Sequence, residues 1–272
     1  MTYRAVLFDL GQTLLEYPGN THEFWRWFLE HRLADMRAEF EGIAPVEHEA
    51  PAFVEHAMDI MWPERKVSMS GRSWPFHERL RALLGRYGCT ECDAAGLERL
   101  TDVFYEPIGE ATRRYPETLE VLEALRAGGV RMAIISNAPW DVPGRLLIGD
   151  MERWEIAGYF DAMVMSGDVP WRKPNPEFMW EAARRLGVEP GECLVVGDSL
   201  RADIAGAKAA GMRCVWVNRD GTEIGGDEPQ PDQIAGCLSE LIGAREVPLM
   251  GQPSPEDSGA AMELGPEAPE GR

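Results

Sequence analysis

Residues 4–14 read Arg-Ala-Val-Leu-Phe-Asp-Leu-Gly-Gln-Thr-Leu, and this stretch decides the fold. Its short apolar run predicts a buried β-strand over residues 4–8. The run ends at Asp9, so a carboxylate stands at the end of the first predicted strand. Ligands of open parallel sheets bind at the carboxyl ends of the strands, and Asp9 is therefore a candidate site residue.

The pattern of the first strand returns in the second half of the chain. Four more strands are predicted, over 130–135, 161–165, 193–196 and 214–217. Helices are predicted between them, over 116–127, 176–186 and 202–210, with Pro116 as a first helical residue and Asn175 as an N-cap. Strands that alternate with helices of about ten residues indicate βαβ units. The expected fold is α/β, with a doubly wound parallel sheet.

The segment between the first two predicted strands has a different pattern. Residues 17–115 are rich in Trp, Phe, Glu and Arg and contain no convincing strand, which predicts an all-helical insert. The α/β core then consists of residues 1–16 plus 116–245. Residues 246–272 are mostly Gly, Pro, Ser, Glu and Ala with little periodicity, and we expect them to be disordered.

Charge and hydropathy restrict the classes of partner. The 272 residues include 46 acids and 27 bases, a net charge of -19. Such a surface repels nucleic acids and anionic membranes, but it leaves a small phosphorylated substrate possible. No stretch is long and apolar enough for a membrane span, and no secretory signal is evident. We therefore expect a cytoplasmic monomer or homodimer.

The cysteines and histidines give no strong signal for a metal. Five cysteines without a signal peptide argue against a disulfide framework. Cys89 and Cys92 form one Cys-x-x-Cys pair, whereas zinc needs a second pair or nearby histidine ligands. The pair is better explained as a turn before a helix capped by Asp93. The five histidines all lie in the insert and lack the spacing of a metal site.

Further polar residues follow the later strands. They are Ser136, Asn137, Asp198 and Asp203, together with Lys173, one of only three lysines in the chain. Crowded aspartates need a cation, and an all-oxygen site suits Mg²⁺. A carboxylate can also accept a phosphoryl group, while a lysine and a hydroxyl hold the phosphate oxygens. Each residue alone is unremarkable, but their order along the sheet edge indicates phosphoryl chemistry.

Four short motifs carry a resemblance to a known family. They are D-x-x-x-T-L from Asp9, I-S-N ending at Asn137, K-P-N-P from Lys173, and G-D-x-x-x-x-D ending at Asp203. Together, over about residues 3–220, they resemble motifs I to IV of the haloacid dehalogenase superfamily, in order. The helical insert resembles the cap that this family places between motifs I and II.

The resemblance implies a role for each acidic residue. Asp9 would be the nucleophile and a Mg²⁺ ligand. The backbone carbonyl of Gly11 and the carboxylate of Asp198 would complete the protein's metal ligands. Asp203 would support the metal's water molecules or orient Lys173.

The resemblance also implies how phosphate is held. Ser136, Asn137 and Lys173 would bind the phosphate of a small phosphorylated substrate, with Lys173 also taking part in catalysis. Thr13 would stabilise the turn after the nucleophile.

One position departs from the family pattern. Most phosphatases of the family carry a second aspartate two residues after the nucleophile, where it protonates the leaving oxygen, and this chain has Gly11 there. General acid–base help is worth about 10²–10⁴-fold in rate. We therefore expect an intact metal site and a slowed or rerouted hydrolysis.

Three readings of function stay open at this point. The first is a Mg²⁺-dependent phosphatase, and the second is a catalytically silent binding or regulatory protein of the same fold. The third is a dehalogenase-like or phosphonoacetaldehyde-hydrolase-like enzyme, since these also lack the second aspartate. The dehalogenase needs no metal, yet Asp198 and Asp203 are retained. The phosphonate enzyme needs a cap lysine, for which Lys66 is the sole candidate. The sequence does not indicate which aromatic residues of the insert face the site.

Overall fold

A computed structural model describes residues 3–19, 22–42, 50–61, 71–89 and 92–243. The predicted disorder of residues 246–272 and the position of Lys66 lie outside these ranges. Among the described residues, no helix combines the length and apolar character needed to cross a bilayer.

The centre of the protein is a six-stranded parallel sheet in the order β5-β4-β1-β6-β7-β8. The strands are β1 (Ala5–Phe8), β4 (Arg131–Ser136), β5 (Ala162–Met165), β6 (Cys193–Gly197), β7 (Arg213–Val217) and β8 (Gln233–Ala235). The predicted α/β class and parallel sheet are confirmed, and five of the strands fall where the sequence predicts them. Sequence periodicity did not predict β8, because three residues at a sheet edge carry too little pattern.

The register of the central strands aligns their carboxyl ends. Phe8 pairs with Ile134 on β4 and with Val196 on β6. The residues that follow these strands therefore emerge at the same edge of the sheet. This alignment brings together side chains that lie more than 120 positions apart in the sequence.

Both faces of the sheet are covered, which explains its continuous apolar strands. Ala5 and Leu7 pack on the side of α7 (Pro176–Leu186) and α8 (Ala205–Ala209). Val6 and Phe8 pack on the opposite side, with α5 (Thr118–Ala127) and residues of the insert. The remaining core helices are α6 (Gly144–Arg153) and α9 (Glu240–Gly243), neither of which was predicted.

The predicted helix starts are correct in one case and wrong in another. Asn175 caps α7 by accepting a hydrogen bond from the Glu177 N–H at 2.9 Å. Pro116 is not the first residue of a helix, since α5 begins at Thr118. The reason is a turn before α5, closed by the Thr118 N–H on the Tyr115 carbonyl at 3.2 Å.

The predicted helix over 202–210 also begins differently. A wide π-type turn spans Leu200–Ile204 and precedes α8. Such turns occur frequently at functional sites, and this one contains Asp203.

The insert contributes four described helices: α1 (His22–Glu41), α2 (Ala50–Met61), α3 (Phe76–Arg86) and α4 (Ala94–Ala111). Asp93 caps α4, as predicted, by accepting from the Gly96 N–H at 2.7 Å.

The expectation that residues 17–115 contain no strand is wrong at one point. β3 (Arg113–Arg114) pairs antiparallel with β2 (Leu15–Glu16) where the chain leaves and rejoins the core. Two-residue strands are too short to show periodicity.

Candidate active site

Three aspartates converge at the carboxyl edge of the sheet. Asp9 follows β1, and its N–H donates to the Val196 carbonyl of β6 at 2.9 Å. One carboxylate oxygen each from Asp9, Asp198 and Asp203 lies within 4.8 Å of the others. This all-oxygen donor set could hold a cation, and it has the ligand chemistry that Mg²⁺ prefers.

Burial and mutual repulsion disfavour the charged forms of Asp9 and Asp198. Burial raises the pKa of Asp9 to about 6, and the charge of Asp203 adds to this effect while Lys173 opposes it. Burial, followed by the charges of Asp9 and Asp203, raises the pKa of Asp198 well above its usual value. A divalent cation between the carboxylates would relieve this repulsion, so the residues fit a metal.

Lys173 is the buried counter-charge of the cluster. Its Nζ donates to Asp9 Oδ1 at 2.5 Å, to Asp203 Oδ1 at 2.6 Å and to the Ile135 carbonyl at 2.8 Å. Burial alone would lower the pKa of the ammonium, but Asp203 and Asp9 outweigh burial and raise it. An ammonium has three hydrogens, so all three have acceptors in this arrangement.

The loop after β4 is tied to the loop that carries Lys173. The Asn137 side chain donates to the Lys173 carbonyl at 3.0 Å and accepts from the Lys173 N–H at 2.9 Å. Ser136, at the end of β4, is almost completely buried and lines the same cavity. Asn137 therefore positions Lys173 in addition to lying beside the site.

The turn after Asp9 is strained and firmly held. Thr13 is fully buried, and its hydroxyl donates to Asp9 Oδ2 at 3.3 Å. Gln12 has a left-handed φ of 56°, which costs energy in a residue other than glycine. Its side chain donates to the Tyr17 carbonyl and accepts from the Tyr115 hydroxyl, each at 3.0 Å. Arg219 donates to the Gln12 and Thr13 carbonyls at 3.3 and 3.0 Å.

The space beside Gly11 is occupied by an aromatic ring. A Cβ atom added to Gly11 would lie 3.4 Å from Cδ2 of Tyr17. The Tyr17 hydroxyl donates to Asp150 Oδ2 at 3.1 Å, and the Tyr105 hydroxyl donates to the same oxygen at 2.6 Å. Burial, followed by the charge of Asp150, raises the pKa of Tyr17 well above its usual value, so its phenol is a poor proton donor.

A cavity of about 300 Å³ joins these groups. Its walls include seven of the eight residues predicted for the site, namely Asp9, Gly11, Ser136, Asn137, Lys173, Asp198 and Asp203. Thr13, the eighth predicted residue, is not among the residues that line the cavity, and it contacts the site through the hydrogen bond of its hydroxyl to Asp9. The cavity is also lined by residues that sequence reasoning did not place there, among them Gln12, Tyr17, Trp25, Pro139 and Leu147.

Comparison with known proteins assigns the family. A family model described as haloacid dehalogenase-like hydrolase matches residues 3–211. This chain belongs to that family.

Named relatives of this haloacid dehalogenase-like hydrolase include two phosphatases. A phosphoserine phosphatase from Thermus thermophilus is 29% identical over 251 residues, which cover 88% of this chain and 90% of the relative. A phosphoglycolate phosphatase from Salmonella typhi is 35% identical over 257 residues, which cover 90% and 93%. The chain is thus similar to phosphatases over most of its length.

Solved structures include both phosphatases and dehalogenases. A HAD phosphatase from Thermococcus onnurineus matches with a TM-score of 0.59 and 28% identity, covering 88% of this chain and 96% of that protein. A 2-haloacid dehalogenase from Pseudomonas syringae matches with a TM-score of 0.61 and 27% identity, covering 89% and 97%. Phosphatases and haloacid dehalogenases are both hydrolases.

One charged residue of this hydrolase had no recognisable sequence signal. Asp141 is fully buried, has a left-handed φ of 52° and lies in the loop after β4. Its carboxylate accepts from the Trp74 N–H at 3.0 Å, Arg79 Nη2 at 3.3 Å, Arg172 Nη1 at 3.1 Å and the Ser166 hydroxyl at 2.5 Å. Asp141 thereby joins the insert to the loop that carries Lys173.

Proposed function

We propose that this chain is a Mg²⁺-dependent phosphatase that acts on a small phosphorylated metabolite through an aspartyl-phosphate at Asp9. The observation that carries the proposal is the convergence of the buried Asp9 and Asp203 and the partly buried Asp198 with the buried Lys173 at one edge of the sheet. Similarity to a phosphoserine phosphatase and a phosphoglycolate phosphatase supports phosphate-ester hydrolysis.

Each residue of the site has a different role in the proposed reaction. A carboxylate oxygen of Asp9 attacks phosphorus, and the leaving group departs with the electron pair of its P–O bond. Lys173 neutralises charge on the nucleophile's side, while Ser136 and Asn137, which line the same cavity at the end of β4, would bind the phosphate. Asp9, the Gly11 carbonyl and Asp198 would hold Mg²⁺, which stabilises charge on the transferring phosphoryl group.

Gly11 has no proton for the leaving oxygen. Tyr17, which occupies the space beside Gly11, does not replace the missing acid because its hydroxyl donates to Asp150 at 3.1 Å, and burial also raises its pKa. The proposed phosphatase therefore depends on leaving groups that tolerate a negative charge. Poor leaving groups would react about 10²–10⁴-fold more slowly than with a general acid.

Turnover of 4-nitrophenyl phosphate and acetyl phosphate tests the proposal. We expect hydrolysis that requires Mg²⁺ and is abolished in Asp9→Asn. Asp227→Asn, at an exposed aspartate, is the matched control and should retain activity. Absence of turnover in a broad panel of phosphorylated compounds would refute the proposal.

The other readings predict different results in the same assays. A silent binding protein, which Gly11 favours, would bind beryllium fluoride with Mg²⁺ and turn over nothing. A dehalogenase would release halide from a 2-haloacid without metal. A phosphonoacetaldehyde hydrolase would be trapped by borohydride at Lys66.

A further inference from the structure

The cavity around Asp9 is lined by two chemically different groups of side chains. One group comprises the aspartates, Lys173 and Ser136, where the phosphate belongs. The other group, the uncharged wall, comprises Tyr17, Trp25, Pro139 and Leu147. The part of the substrate that leaves on phosphoryl transfer would lie against this uncharged wall.

The side chains of the uncharged wall are fixed in position. Trp25, on α1, is half-buried, and its ring packs edge-on against Trp140 with centroids 5.6 Å apart and an interplanar angle of 78°. Tyr17 is held by the hydrogen bond of its hydroxyl to Asp150. Leu147, on α6, is buried. Rings fixed in this way offer flat faces and edges for another aromatic ring.

The charges of the cavity disfavour an acidic leaving group. Among the described residues that line it, Lys173 is the sole cation, and its three hydrogens are directed to Asp9, Asp203 and the Ile135 carbonyl. A carboxylate on the leaving group would find no cationic partner on these walls. It would also face three acidic side chains, and a charge without a partner costs binding.

The chemistry at Gly11 restricts the leaving group independently. No side chain at that position can protonate the departing oxygen, and the Tyr17 phenol is turned to Asp150. A phenolate spreads its own charge over the ring, so an aryl ester needs this proton less than an alkyl ester does. The polarity of the walls and the missing acid thus favour the same class of compound.

We infer that the substrate is an aryl phosphate monoester without a carboxylate, an inference that rests on the proposed function. The Asp9 carboxylate forms a bond to phosphorus, and the P–O bond to the ring breaks. The phenolate leaves with the electron pair and takes a proton from water. A second water then attacks phosphorus, the bond to Asp9 breaks with its electron pair returning to the carboxylate, and hydrogenphosphate leaves. The proton that this second water loses neutralises the hydroxide left when the phenolate was protonated. Net, aryl phosphate and water become phenol and phosphate.

Substrate competition with the full chain and Mg²⁺ tests the inference. We expect kcat/KM for phenyl phosphate to exceed that for phosphoglycolate and O-phosphoserine by at least about tenfold. Across substituted phenyl phosphates, kcat/KM should rise steeply as the pKa of the released phenol falls. A preference for either carboxylate-bearing compound would overturn the inference.

A pair of tryptophan variants tests the position of the ring. Trp25→Ala should lower kcat/KM for phenyl phosphate by about tenfold, with little change for acetyl phosphate, which has no ring. Trp27→Ala is the matched control, because Trp27 lies on the same helix and is 53% exposed. Equal effects of Trp25→Ala on both substrates would contradict the proposed contact.

Failure of this inference is distinct from failure of the proposed function. Mg²⁺-dependent, Asp9-dependent turnover of phosphoglycolate in preference to phenyl phosphate would refute the aryl specificity alone. No turnover of any of these compounds, acetyl phosphate included, would refute the phosphatase and the aryl specificity together.

Discussion

At the scale of single residues, Gly11 and Tyr17 lie in contact distance of each other beside Asp9, the proposed nucleophile. The side chain that is missing at Gly11 leaves space, and the Tyr17 ring comes within 3.4 Å of the position of an added Cβ. That distance is an ordinary van der Waals contact, and Gly11 does not require a left-handed backbone. A Cβ atom at position 11 is therefore compatible with the turn.

Restoring an acid at Gly11 should change which leaving groups are tolerated. We expect Gly11→Asp to raise kcat/KM for phenyl phosphate by about 10²-fold and for 4-nitrophenyl phosphate much less, because a general acid helps poor leaving groups most. Gly11→Asn is the control of equal size without an acidic proton. If Asn produces the same gain as Asp, the effect does not come from proton donation.

The buried carboxyl of Asp150 should make stability depend on pH. Burial raises its pKa, although the Tyr105 and Tyr17 hydroxyls oppose this. The folded state then holds the Asp150 proton more tightly than the unfolded chain, so stability contributed by this group is lost as pH rises through the folded pKa. We expect wild type to lose stability relative to Asp150→Asn as pH rises above 3.8, the ordinary pKa of an aspartate.

Urea unfolding of wild type and Asp150→Asn at several pH values measures the difference between their free energies of unfolding. The prediction is the direction in which this difference changes with pH. Because the two proteins differ at one group, other titrations cancel in the difference. A stability difference that stays constant with pH, or that favours wild type at higher pH, would contradict a raised pKa for Asp150.

At the scale of elements, the loops after the strands are held by contacts with the insert. Arg79, on α3, also donates to the Trp74 and Met61 carbonyls, at 2.9 and 3.0 Å, and so organises the end of the insert that meets Asp141. Arg172, next to Lys173, approaches Asp141 from the core. One buried carboxylate thus connects three separate segments.

Removing that carboxylate should be costly. Asp141→Ala leaves Arg79 without its buried counter-charge and places alanine at a left-handed φ, so we expect a loss of about 3–5 kcal/mol in the free energy of unfolding. Asparagine adopts a left-handed φ more easily than alanine and keeps an acceptor oxygen. Asp141→Asn should therefore lose less free energy of unfolding than Asp141→Ala. Urea denaturation measures both, and a wild-type midpoint for both variants would contradict a structural role of the ion pairs.

At the scale of the whole molecule, the net charge of -19 opposes the approach of an anionic phosphate ester. Salt screens this repulsion over a Debye length of about 8–10 Å. We expect kcat/KM for phenyl phosphate to rise with ionic strength while kcat changes little, provided that Mg²⁺ is saturating. Assays over a sodium chloride series measure this, and a fall of kcat/KM with salt would indicate local positive potential at the cavity mouth instead.

Sequence patterns alone were sufficient to predict the parallel core and the polar residues at the ends of its strands. An apolar run that stops at a charged residue, as at Asp9, is visible within ten positions. The cap at Asn175 and the spacing from Asp198 to Asp203 are equally local. The parallel sheet then determines that these residues meet, because the ends of its central strands are aligned. Family membership followed from the same motifs, whereas the domain boundaries and each residue's catalytic role stay predictions.

The tertiary structure alone placed Tyr17, Trp25 and Asp141. Each makes its decisive contact with residues far away in the chain: Tyr17 with Asp150, Trp25 with Trp140, and Asp141 with Arg79. No local periodicity encodes such pairs, since their partners depend on how the insert packs against the core. The sequence by itself indicated which strand ends form the candidate site, and packing decided which other side chains line its cavity.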